Sequence, residues 1–163
     1  MSHELVFTPS SPWNSERPHV LVVACSDGRL QEPLDEFLRE SVGIAHYDRV
    51  YLAGGPGALV RGGLETERPN RINDHLLFLI EAHQIESVVL MFHGPAIAGP
   101  DISICAEYRR RYPDHTAAQI RKQQEYDTEQ ILRDPLGGFP SEHVHAYRLE
   151  VTNSLGLDVM KIL

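Results

Sequence analysis

Four side chains able to do chemistry stand at the ends of two apolar runs. The first run, His19-Val20-Leu21-Val22-Val23-Ala24, stops at Cys25, with Asp27 two residues on and Arg29 four residues on. A soft sulfur donor, a carboxylate and a fixed cation thus leave one strand together, and Gly28 lets the backbone turn between them. The second run, Ser87 to Phe92, stops at His93. Thiolate and imidazole are preferred zinc donors, and a catalytic zinc site uses about three protein donors plus water. Beside Arg29 a buried Asp27 stays ionised, because the opposite charge favours the carboxylate. Asp27 could then ligate a metal or accept a hydrogen bond from the metal's water, with Arg29 competing for it. Zinc lowers the pKa of such a water to about 7, so a hydroxide nucleophile is the chemistry to expect. Without a metal the same residues read as a small buried thiol and a structural ion pair tying a turn.

The elements that must hold these residues alternate between strand and helix. His19 to Cys25 is an unbroken, mostly β-branched run, the pattern of a strand buried on both faces. Leu30 to Gly43 places Leu34, Phe37, Leu38 and Val42 at helical spacing, with Pro33 in the first turn and Gly43 suited to a C-terminal cap. Asp48 to Ala53 reads as a second strand ending in Gly54-Gly55-Pro56-Gly57, and Asn70 to Gln84 as a helix. Ser87 to Phe92 is the third strand. Asp101 suits the N-cap of a short helix to about Arg111, and a polar helix follows from Asp114 to Leu132. His143 to Val151 alternates as a fourth strand, with a short tail after Asn153.

Such alternation implies an α/β fold, a mostly parallel central sheet flanked by helices and joined by right-handed crossovers. Ligands of these sheets gather outside the carboxyl ends of the strands. If the first strand lies between the second and third, then Cys25, Asp27, Arg29, Gly54, Gly55 and His93 converge. Residues 1–18 read as an arm, in which Trp13 is expected to pack on the core or on a partner subunit; residues 19–163 read as one domain.

Composition narrows the function. The formal net charge of −8 argues against nucleic-acid binding, which needs a basic surface. No apolar run approaches the 18 residues or so of a membrane span, and the N-terminal stretch lacks a signal peptide's apolar core. Two cysteines 80 residues apart are too few for a disulfide framework, so a reducing, cytoplasmic home is expected. Arginine six residues after the cysteine would mark a cysteine-dependent phosphatase, but that position is Gln31. A frame from Gly55 and Gly57 puts Val60 where a dinucleotide fingerprint needs its third glycine. The Arg109-Arg110-Arg111 run reads as a solvated helix end.

Cys-x-Asp-x-Arg after a buried strand, a glycine-rich end to the second strand and a histidine ending the third resemble the β-class carbonic anhydrases over roughly residues 19–160. The resemblance implies that family's α/β fold and a homodimer or higher homo-oligomer. It implies a zinc lyase hydrating CO2 to bicarbonate. It makes Cys25 and His93 metal ligands, Asp27 and Arg29 the orienting catalytic pair, and Gly54 and Gly55 the lining of the substrate pocket. The chain departs from the family at two places. Ala96 stands where the family has a second ligand cysteine three positions after the histidine, and alanine has no donor atom. Tyr51-Leu52 replaces a usual Arg-Asn pair. Three states of the site follow: Asp27 as third ligand, Cys105 as third ligand, or no metal. Cys105 can serve only if residues 94–101 bulge out, and its place near Ile102 and Ala106 on an expected helix favours core packing. The competing function is a non-catalytic relative that binds an anion or a partner in a degenerate pocket.

Overall fold

The computed structural model describes residues 4–61 and 67–163. Its centre is a five-stranded sheet in the order β2-β1-β3-β4-β5. Strand β1 spans Val20–Cys25, β2 Asp48–Leu52, β3 Ser87–Pro95, β4 Val144–Val151 and β5 Leu157–Lys161. The first four run parallel and β5 returns antiparallel along β4, pairing Val151 with Leu157 and Tyr147 with Lys161. Leu21, Val22 and Val23 are completely buried, as the unbroken apolar run requires. Sealing each such side chain from water contributes about 1.5–3 kcal/mol.

Helices cover both faces. Helix α1, Gln31–Phe37, continues as a wider π turn over Leu38–Val42 and ends at Gly43, whose φ of 79° is the left-handed cap that glycine adopts freely. Leu30, Leu34 and Leu38 pack from this side on Val22, Ala24, Val89 and Met91. On the opposite face Leu76 of α2 (Glu67–Ala82), Tyr108 of α3 (Ala106–Arg111), and Ile120 and Ile131 of α4 (Ala117–Arg133) pack on Leu21, Val23, Leu90 and Phe92. The α4 N-terminus is a capping box: Gln119 N–H donates to Thr116 Oγ1, and the Gln119 side chain accepts from Thr116 N–H.

The expected α/β sheet is present, with β1 between β2 and β3. Three local readings change. Residues 4–18 carry no regular structure, and Trp13 is 88 % exposed rather than packed on this chain's core. The span expected as one helix from Asp101 is a short 3-10 turn, Asp101–Ser103, then an extended break, then α3. The expected tail holds β5, whose alternation is too weak to announce a strand but whose backbone groups find β4.

Candidate metal centre

Cys25 is the last residue of β1, and Ser26 N–H donates to Leu52 O at 3.0 Å, so the ladder with β2 holds right up to the sulfur. His93 lies near the end of β3 and is buried at 4 % exposure. The Gln124 side chain of α4 donates to the His93 carbonyl at 2.9 Å, which fixes the histidine's backbone from the helix above it. Because β1 and β3 are hydrogen-bonded neighbours, Cys25 and His93 meet as the strand order requires.

Cys105 joins them by an excursion of the chain. After β3, Ala96 N–H donates to Val151 O and Gly99 N–H donates back to Ala96 O. A Cβ on Gly99 would stand 2.2 Å from Val151 O, so this turn needs glycine. The chain then arches through Ile97 and Ile102, both exposed, and returns at buried Ile104 to set Cys105 at the N-cap of α3. The donor atoms of Cys25, His93 and Cys105 all lie within 4.8 Å of one another, and the two Sγ atoms are 3.9 Å apart. Among the described residues this is the one group of three such side chains able to hold a metal ion.

The electrostatics of the trio follow from who donates to whom. The Cys105 thiol donates toward Cys25, and His93 and the Gly54 amide add to it, so the Cys25 thiol is held well below its ordinary range despite partial burial. Cys105 is pushed up, because it supplies the proton of that contact and is buried. The two sulfurs share one contact, which favours the anion at Cys25 and the proton at Cys105.

Asp27 takes a different partner. Arg29 grips it with Nε at 2.9 Å from Oδ1 and Nη2 at 2.5 Å from Oδ2, and the Arg29 amide adds a third contact at 3.1 Å. This clamp holds the Asp27 carboxyl down at about 2. Both carboxylate oxygens face the guanidinium, and Asp27 is not one of the three clustered donors. A cavity opens beside it, walled by Leu30, Leu34, Met91, Phe92 and Leu149 and reached by Cys25 and Tyr51.

Gly54 and Gly55 are not among the residues lining this cavity; they shape the back of the cysteine site. Both are left-handed, with φ of 92° and 56°. A Cβ on Gly55 would meet Cys25 N at 2.9 Å and Met91 O at 3.2 Å, both backbone atoms, so the β2 end passes this close to β1 and β3 only without a side chain.

The family model for Putative carbonic anhydrase matches residues 15–126, more than half of the chain. The chain belongs to that family. No curated protein matches the sequence. Among solved structures, the β-carbonic anhydrase isoform I of Trichomonas vaginalis is 16 % identical, with 98 % of this chain and 88 % of that one covered and a TM-score of 0.45. A carbonic anhydrase of Streptococcus mutans is 17 % identical over 91 % of this chain and 83 % of that one, at 0.44. The Aspergillus fumigatus β-carbonic anhydrase CafD is 13 % identical over 96 % and 95 %, at 0.42.

The donors of this carbonic anhydrase relative fit zinc. Two sulfurs sharing one tetrahedral zinc stand about 3.8 Å apart, given Zn–S bonds of about 2.3 Å, and here they stand at 3.9 Å. His93 Nε2 is buried with no hydrogen-bond partner, a cost that a protein rarely leaves uncompensated.

Some of the supporting residues escaped the sequence. Gln124 looked like one of many polar residues on a polar helix, and only its burial singles it out. Arg111 is not part of a solvated end: it stacks over the Tyr108 and Tyr112 rings and donates to Gly57 O at 2.8 Å. Tyr108 in turn donates to the fully buried Asp127 at 2.5 Å. Alternating signs and helical spacing carry no mark of such pairings, which join separate elements.

Proposed function

We propose that this chain holds zinc through Cys25, His93 and Cys105 and catalyses the reversible hydration of CO2 to bicarbonate. The observation that carries the reading is Cys105: it brings a third donor beside Cys25 and His93 in a chain whose family ligand position is Ala96. Zinc bound there would supply the positive charge that lowers the pKa of a water to about 7.

The chain's own residues do the rest. Asp27, kept anionic by Arg29, accepts a hydrogen bond from the attacking water through a carboxylate oxygen and so aims the water's free lone pair. The Arg29 clamp also keeps Asp27 from taking the place of a metal ligand. Leu30, Leu34, Met91, Phe92 and Leu149 give the cavity apolar walls, which suit a small uncharged substrate and exclude competing water. Gly54 and Gly55 support the Cys25 side of the site by letting the second strand's end approach closely. The two unpaired thiols favour a reducing, cytoplasmic setting, and the exposed Phe7 and Trp13 of the N-terminal arm favour a homodimer in which that arm is covered.

Elemental analysis of the purified protein, together with stopped-flow CO2 hydration, tests the reading. Near-stoichiometric zinc and chelator-sensitive hydration are expected. Cys25→Ser should lose the zinc, whereas Arg29→Ala should keep zinc and lose most activity. A protein that neither carries nor takes up zinc would instead be a non-catalytic relative that uses its pocket to bind a small anion or a partner.

A further inference from the structure

Cys25 and Cys105 differ in access. Cys25 is partly exposed and is one of the residues bordering the cavity beside Asp27. Cys105 is buried at 2 % exposure and does not line that cavity, yet its Sγ is 3.9 Å from the Cys25 Sγ. A partly exposed cysteine with a buried one at contact distance is the arrangement of an attacking and a resolving cysteine.

We propose that this pair is a peroxide-oxidised site, in which Cys25 reacts with hydrogen peroxide and Cys105 closes an intramolecular disulfide. The inference rests on the two thiols and not on the metal reading. The Cys25 sulfur attacks one peroxide oxygen and the O–O bond breaks, giving Cys25 sulfenic acid, while the departing hydroxide takes the thiol's proton and leaves as water. The Cys105 sulfur then attacks Cys25 Sγ: the S–S bond forms, the S–O bond breaks, and the departing hydroxyl leaves as a second water with the Cys105 proton. Two electrons leave the thiol pair and reduce one peroxide to two waters.

The fold says which side moves. A disulfide of about 2.05 Å asks the sulfurs to close by about 1.9 Å. Cys25 is held by the β1–β2 ladder, Cys25 opposite Leu52, whereas Cys105 lies between the 96–104 arch and the six-residue α3. Beyond its anchor at Ala96, the arch is held by local turns, Ser103 N–H to Pro100 O and Ile104 N–H to Asp101 O, so it yields more readily than a central strand. A disulfide leaves neither sulfur as a thiolate donor, so oxidation and metal binding exclude each other.

The chain has no other cysteine, so thiol chemistry reads this pair alone. Full-length protein stripped with chelator is treated with hydrogen peroxide and followed by thiol titration and non-reducing peptide mapping. The expected result is loss of both thiols, a Cys25–Cys105 cross-link within one chain, and full recovery on adding dithiothreitol. In Cys105→Ala, dimedone should label Cys25, which should then over-oxidise beyond rescue by dithiothreitol. Wild-type protein that over-oxidises at Cys25, or links only between chains, overturns the proposal. In zinc-loaded protein, metal release should track disulfide formation one for one. A disulfide formed with zinc retained would overturn the mutual exclusion and remove both cysteines from the ligand set.

Discussion

The Gln124 side-chain amide donates to the His93 carbonyl at 2.9 Å, across the boundary between α4 and β3, with Gln124 only 1 % exposed. A candidate ligand at a strand end is thereby held by a helix that the sequence places about 30 residues later. Gln124→Ala should cost about 1–3 kcal/mol, since a buried side-chain to backbone hydrogen bond is lost. It should also weaken zinc binding by roughly 10–100-fold, the usual effect of losing support around a ligand. Urea unfolding and competition with a chromogenic chelator measure the two. Stability loss without any change in metal affinity would make Gln124 a packing residue only.

Gly55 holds the second strand's end against Cys25. In Gly55→Ala the new Cβ would press on backbone N and O atoms at 2.9 and 3.2 Å, at a φ of 56°. Backbone gives way poorly, so a destabilisation of about 2 kcal/mol or more is expected. Gly28→Ala is the control, because its Cβ would meet nothing within 4 Å. Comparable unfolding midpoints for the two variants would contradict this account.

Zinc should stabilise the fold through the three donors together. At free zinc 100-fold above its dissociation constant the gain is about 2.7 kcal/mol, a rise in Tm of roughly 5–10 °C for a domain of this size. Cys105→Ser should abolish most of that shift, as should Cys25→Ser. An undiminished shift in Cys105→Ser would remove Cys105 from the ligand set, and differential scanning calorimetry reads it directly.

Asp127 imposes a pH dependence away from the candidate metal centre. Burial raises its carboxyl pKa, and hydrogen bonds from Tyr108 and Gln123, with Arg111 4.0 Å away, only partly offset the cost of its charge. A raised folded-state pKa means that the native state binds more protons than the unfolded chain. Its contribution is present below the unfolded value of about 3.9 and is lost as pH rises through the folded value. Asp127→Asn should remove that segment of the stability–pH curve. Identical slopes for the two proteins above pH 4, in urea titrations, would show that Asp127 titrates normally.

What the sequence determined by itself was the part carried by local pattern. The β-branched runs named β1 and β3, and a cysteine and a histidine at their ends needed only adjacent strands to meet. Gly43 was legible as a cap because its helix stops there, and the Cys-x-Asp-x-Arg spacing placed Asp27 within reach of Arg29 in one turn. Family membership was legible for the same reason, through short motifs at strand ends. The tertiary structure decided what depends on closure over long separations. Cys105 looked like a core residue of a helix, and it is buried; but whether it also reaches Cys25, 80 residues away, rests on the 96–104 arch and the glycine at its turn. β5 became a strand through hydrogen bonds with β4 rather than through its own alternation. Local sequence sets backbone preference and the faces that bury; which distant donors share a site is set only when those faces pack.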